Sequence, residues 1–163
     1  GHADGKFHFK ADWAQIGKDH ARLPSLPDIA PVFDAATDER PFRMVTAPAR
    51  SFLNSTFTET PGSRQREGRP TLLLHPRDAA RLGLADGDLA EIGNERGAIK
   101  IHARPFDGLL PGVVVVESIW PNAAFVGGKG INYLTSDDAG LPNGGAVFHD
   151  TAIWIRKVTE SPA

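Results

Sequence analysis

The sequence predicts a mainly β domain built as a closed barrel of short strands. Three observations carry this. Six or seven apolar stretches of strand length recur along the chain, the longest being the GVVVV of residues 112–116. No stretch carries the 3.6-residue apolar period of a long helix. The 17 glycines and 13 prolines are spread between the stretches as turn formers. Many short strands with Gly- and Pro-rich turns indicate a barrel or sandwich, and a strand–helix–strand step at 70–94 is unusual for a simple sandwich.

The elements follow in order. Residues 1–41 carry scattered aromatics and prolines at 24, 27, 31 and 41. Proline removes backbone donors, so this segment is expected to be an extended N-terminal arm, with Gly1-His2 a remnant of a cleaved tag. FRMVTA (42–47) is the first strand, stopped by Pro48. Residues 48–69 are a long polar loop, and PTLLLH (70–75) is an apolar strand. A short helix follows, with Pro76 at a position where its missing N–H is no loss and Asp78 in the first turn, where the helix dipole favours a carboxylate. Gly83 suits a left-handed helix end. DLAEIGN (88–94) and GAIKIHAR (97–104) flank a short hairpin turn at Asn94–Gly97. VVVVES (113–118) reads as buried on both faces. A second long loop spans 119–146, and AVFHDTAIWIRKV (146–158) is the last strand, followed by a tail, 159–163.

Composition excludes several functions. A net charge of −2 leaves no basic footprint for nucleic acid, and no apolar run is long enough for a membrane span. The absence of cysteine removes disulfides, thiol catalysis, cysteine-ligated zinc and iron–sulfur clusters from this piece. The six histidines show no metal-ligand spacing, so no metal site is expected from this chain alone. GGKGIN (127–132) lacks the full phosphate-loop pattern, and no G-x-S-x-G elbow occurs. No catalytic residue is expected.

The ordered series HPRDAARLGLADGDLAEIGNERGAIKIHARPFDGLLPGVVVVESIW, followed by GINYLT, resembles the C-terminal dinucleotide-binding domain of the molybdopterin oxidoreductases, the dimethyl sulfoxide reductase superfamily. The similarity covers about residues 42–158. It implies a six-stranded double-psi β-barrel with one or two short helices. It implies a bacterial C-terminal fragment whose partners are the remaining domains of the parent oxidoreductase and which is inactive alone. It implies that the barrel positions a molybdopterin guanine dinucleotide carrying molybdenum or tungsten, none of which is expected to stay bound to the isolated piece. The expected compartment is the cytoplasm, with the periplasm as alternative for the full enzyme.

A cofactor of this kind offers phosphates, sugar hydroxyls and fused heterocycles. Loops rich in Ser, Thr, Asn, backbone N–H groups and a few cations suit it. By resemblance the loop RSFLNSTF (50–57) faces the cofactor, through Arg50, Ser51, Asn54, Ser55 and Thr56. Trp120 stands where the family often has an aromatic, and Asn132 matches an asparagine whose amide both donates and accepts. His149 stands where relatives often carry a lysine and is expected to donate in its place. Two rivals are a double-psi substrate- or adaptor-binding barrel without cofactor, and a self-cleaving decarboxylase barrel, for which Gly62-Ser63 would be the scissile pair.

Overall fold

The computed structural model describes residues 1–10, 12–15, 23–26, 34–140 and 145–159. The chain divides into two compact units, residues 1–33 with 137–147, and residues 34–136 with 148–163.

The second unit contains the barrel. Its strands are β1 (Phe42–Ala47), β2 (Thr71–Leu74), β3 (Leu89–Asn94), β4 (Gly97–Pro105), β5 (Val113–Glu117) and, last in the chain, β8 (Thr151–Lys157). They close in the order β1-β5-β2-β4-β3-β8. Two pairs, β1 with β5 and β2 with β4, are parallel, and the other four are antiparallel. This is the six-stranded double-psi barrel the sequence predicts.

Buried residues alternate along β1, β2, β4 and β5, as the two-residue period of a strand requires, whereas β3 ends and β8 begins with three buried residues in a row. Met44, Leu72, Leu74, Ile92, Ile101, Val114, Val116 and Ile153 are fully buried. The valine run of β5 is not buried on both faces as expected: Val114 and Val116 point inward, whereas Val113 and Val115 are half-buried. At Gly93 the trade between strands leaves no room for a side chain. A Cβ there would strike the Trp154 ring and come within 2.7 Å of the Gly97 carbonyl oxygen.

Two helices connect strands. In α2 (Pro76–Leu82) the His75 ring caps the start by accepting from Arg77 N–H, and Gly83 ends it in the left-handed region. Asp78 does more than offset the dipole: it is buried, pairs with Arg81 and accepts from the Gly112 N–H at 2.7 Å, tying the helix to the start of β5. The second helix, α1 (Pro61–Glu67), lies inside the stretch expected to be loop. Pro61 occupies its first turn and none of its residues is buried, so no apolar period marks it in the sequence. Gly62-Ser63 is therefore helical backbone and not part of the long loop expected over 48–69.

The last strand begins at Thr151 rather than at residue 146, because Asp150 takes a left-handed φ of 64° and breaks the extended run. Residues 145–146 belong instead to the first unit. There two short strands pair antiparallel, β6 (Ala139–Gly140) with β7 (Gly145–Ala146). The same unit holds a single helical turn at Trp13–Gln15, with the Trp13 indole donating to the Pro24 carbonyl at 2.7 Å. Parts of the arm and of the tail lie outside the described residues.

Candidate functional site

Strand direction decides which loops meet. β5 is parallel to β1, so the segments after Ala47 and after Glu117 leave the same end of the barrel. β8 is antiparallel to β1, so the segment entering Thr151 lies there too. β3 is antiparallel to β8, which brings the Asn94–Gly97 turn of the β3–β4 hairpin to the same end. Every sequence-predicted site residue therefore sits on connections at one mouth of the barrel.

The loop after β1 is a folded object. Leu53 and Thr56 exchange both backbone hydrogen bonds, at 3.1 and 2.8 Å, and close a tight turn around Asn54 and Ser55. Thr58 is buried, and its hydroxyl donates to the Ser55 carbonyl. Ser51 N–H donates to the carboxylate of Glu67, so α1 props the loop from behind. The side chains of Arg50, Asn54, Ser55 and Thr56 remain exposed and, among the described residues, have no polar partner.

Two contacts lock this loop to the segment after β5. The buried Ser118 hydroxyl donates to the Asn54 carbonyl at 2.7 Å. Phe52 and Trp120, both 5% exposed, meet edge to face with centroids 4.7 Å apart, a geometry favoured by the ring quadrupoles. Trp120 is thus buried, yet its indole N–H has no acceptor among the described residues. A donor shielded from water without a partner costs about 1–3 kcal/mol, and an acceptor-rich ligand at this end would give the indole N–H the partner that the described residues do not.

Asn132 is held differently. It is exposed in the middle of a helical turn, Ile131–Tyr133, between buried Ile131 and Leu134. The buried Asn94 amide donates to the Leu134 carbonyl at 2.8 Å, while its oxygen accepts from Arg96 N–H at 2.9 Å. Arg96 adds a bond to the same carbonyl and a two-pronged ion pair to Asp34. Asn122 closes the preceding loop by accepting from Gly130 N–H, and a Cβ on Gly130 would collide with that oxygen. Asn132 shares the mouth with the 50–57 loop, but no described contact links them.

His149 stands at the β8 entrance. Its ring lies against Phe148 and within 3.2 Å of the Thr46 hydroxyl at the end of β1.

Sequence reading missed the residues that position these: Asn94, Ser118, Glu67 and Asp150. Two of the missed residues, Ser118 and Asp150, share a backbone signal. The four described non-glycine residues with left-handed φ are Asn54, Phe57, Ser118 and Asp150, and all four lie on the connections at this mouth. Such backbone persists only where surrounding structure enforces it, and it clusters at functional sites. Asn54 and Asp150 carry residue types that hint at it, and Phe57 and Ser118 do not.

The donor set fits a phosphate- and heterocycle-bearing ligand: an exposed guanidinium, an orphaned indole N–H, and asparagine amides that both donate and accept. The family described as "Molydopterin dinucleotide binding domain" matches residues 42–152. The chain belongs to that family. It is a cofactor-binding barrel of the type found in oxidoreductases. It is 35% identical over 138 residues to the probable oxidoreductase YoaE of Bacillus subtilis, a match covering 83% of this chain and 20% of that protein. It is 28% identical over 144 residues to the dimethyl sulfoxide reductase DmsA of Escherichia coli, covering 83% of this chain and 18% of that protein. The chain thus spans about a fifth of the length of these relatives. Among solved structures, acetylene hydratase from Pelobacter acetylenicus superposes with a TM-score of 0.69 at 19% identity, over 90% of this chain and 22% of that one; that likeness concerns the fold alone. Among the described residues no helix is long and apolar enough to cross a membrane.

Proposed function

We propose that this barrel binds the guanine dinucleotide form of molybdopterin within a longer bacterial oxidoreductase, using the mouth that carries residues 50–57, 118–120, 132 and 149. When bound, that cofactor's molybdenum or tungsten centre supplies the electron transfer. The roles left to this chain are recognition and orientation. Arg50 offers a guanidinium to a phosphate oxygen. Ser51, Asn54, Ser55 and Thr56 offer hydroxyl and amide groups around it. The Trp120 indole donates from a dry position, and Asn132 donates and accepts through one amide.

The observation that carries this reading is the orphaned Trp120 donor at the end where all four strained non-glycine residues lie. A barrel serving only as an adaptor surface would have no need of a buried donor aimed at nothing of its own. The exposed apolar residues support a covered end as well. Leu53, Phe57, Ile119, Val126, Tyr133 and Phe148 all project from the connections at this mouth. Apolar surface ringing a polar site suits contact with further domains of a parent chain.

The deciding experiment uses the longer parent protein. Asn132→Leu and Trp120→Phe should each lower the molybdenum and guanine released per chain on denaturation, with folding unchanged by circular dichroism. Unaltered cofactor content in both variants would refute the placement of the site.

A further inference from the structure

The environment of His149 sets which of its ring nitrogens carries the proton. The Thr46 hydroxyl lies 3.2 Å from the Phe148 carbonyl oxygen and 3.2 Å from His149 Nδ1. A hydroxyl has one proton and can accept on its lone pairs. For both contacts to be hydrogen bonds the Thr46 proton goes to Phe148 O, since a carbonyl only accepts. The Thr46 oxygen is then left to accept, and Nδ1 must donate to it. In the neutral ring this puts the proton on Nδ1 and leaves Nε2 with a bare lone pair.

The segment is built to keep the ring in that position. Asp150 adopts its left-handed backbone, with its carboxylate gripped at both oxygens by the guanidinium of Arg43 on β1. Phe148 packs against the imidazole at a centroid distance of 4.4 Å. An exposed histidine held through its Nδ1, through the ring in front of it and through the residue behind it is presented to something beyond the chain.

We propose that His149 meets its ligand through an unprotonated Nε2, and so recognises a hydrogen-bond donor such as a ring or exocyclic N–H of a fused heterocycle. Thr46 and Asp150 act as positioning residues. This rests on the mouth being the cofactor site, and it reverses the role expected from the sequence, in which His149 replaces a lysine and donates. A lysine at this position has three donors and no acceptor, whereas His149 as held here selects the complementary edge.

Long-range proton–nitrogen spectra of the 163-residue chain, with labelled histidine, read the tautomer directly. The neutral ring should carry its proton on Nδ1 in the wild type and in Thr46→Ser. Thr46→Val should move it to Nε2, the form an unconstrained neutral histidine side chain prefers. An Nε2–H tautomer in the wild type overturns the inference, whatever the cofactor does. In the longer parent protein, Thr46→Val should lower cofactor affinity by roughly tenfold, the loss expected when one polar group is left facing another without a matching partner, and Thr46→Ser should restore it. Full cofactor content in His149→Ala would remove His149 from the site and overturn the recognition claim. Asn132 and Trp120 variants would still judge the wider reading.

Discussion

Replacing Asn94 with alanine tests whether the candidate site is held by the β3–β4 hairpin. Asn94 is 9% exposed and makes two bonds through one amide, at 2.8 Å to the Leu134 carbonyl and 2.9 Å from the Arg96 N–H. Each is worth about 1 kcal/mol net, and a buried group deprived of its partner adds to the loss. The Leu134 carbonyl keeps its second donor, Arg96 Nη1 at 3.2 Å, which limits that addition. The expected destabilisation is about 2–3 kcal/mol, or roughly a 1 M drop in the urea midpoint for a chain of this size. The damage should also be local. Amide exchange at Tyr133 and Leu134, whose N–H groups bond Gly130 and Ile131, should quicken more than exchange in β5. Urea titration with exchange mass spectrometry reads both. A loss below about 0.5 kcal/mol, or equal acceleration in β5, would mean that the turn bearing Asn132 is positioned by something else.

Other substitutions probe separate parts of the argument. Gly93→Ala should destabilise the barrel by about 1–3 kcal/mol in thermal or urea unfolding, because the added methyl meets Trp154 and the Gly97 carbonyl with nowhere to move; an unchanged midpoint would contradict that packing. Trp120→Phe should change the stability of the isolated chain by less than about 1 kcal/mol, since removing a donor without a protein partner offsets the cavity left by the smaller ring, which keeps its contact with Phe52. The same change should reduce cofactor content in the parent protein, and a drop in both properties would point to a purely structural tryptophan. Asp88 is held below its ordinary value of 3.8 by hydrogen bonds from Lys157 and from the Ala85 N–H. A depressed carboxylate stabilises the fold above its unfolded value and loses that contribution as pH falls through the folded one. The stability gap between wild type and Asp88→Asn should therefore be present at neutral pH and close below about pH 4; a gap independent of pH would show that the carboxylate charge is irrelevant.

The barrel was legible in the sequence because its strands follow the two-residue period and its turns announce themselves with Gly, Pro and Asp. β1, β3, β4 and α2 fall within a residue or so of expectation for that reason. What stayed hidden has no local signature. α1 buries nothing, so it leaves no apolar stripe. Ser118 and Phe57 adopt left-handed backbone that their residue types disfavour, and only long-range contacts such as Ser118 to Asn54 hold it. The candidate site residues were named by family likeness and not by any local pattern. Asn94 was visible as part of a hairpin turn, but its bond to Leu134, 40 positions away, is a property of the closed fold.

The pairing of β8 has a consequence for how the protein is made. β8 bonds to β1 on one side and to β3 on the other, so it is the keystone that turns an open sheet into a barrel. β1 emerges from the ribosome about a hundred residues before its partner, and such late, long-range pairing is slow to form and exposed to misassembly. Until Thr151–Lys157 has been synthesised, the His149 side of the mouth does not exist and the edges of β1 and β3 stay unpaired. On the proposed placement of the site, cofactor loading follows translation of β8, and a chaperone that shields the two edges until then would act on the step at which the molecule is most vulnerable.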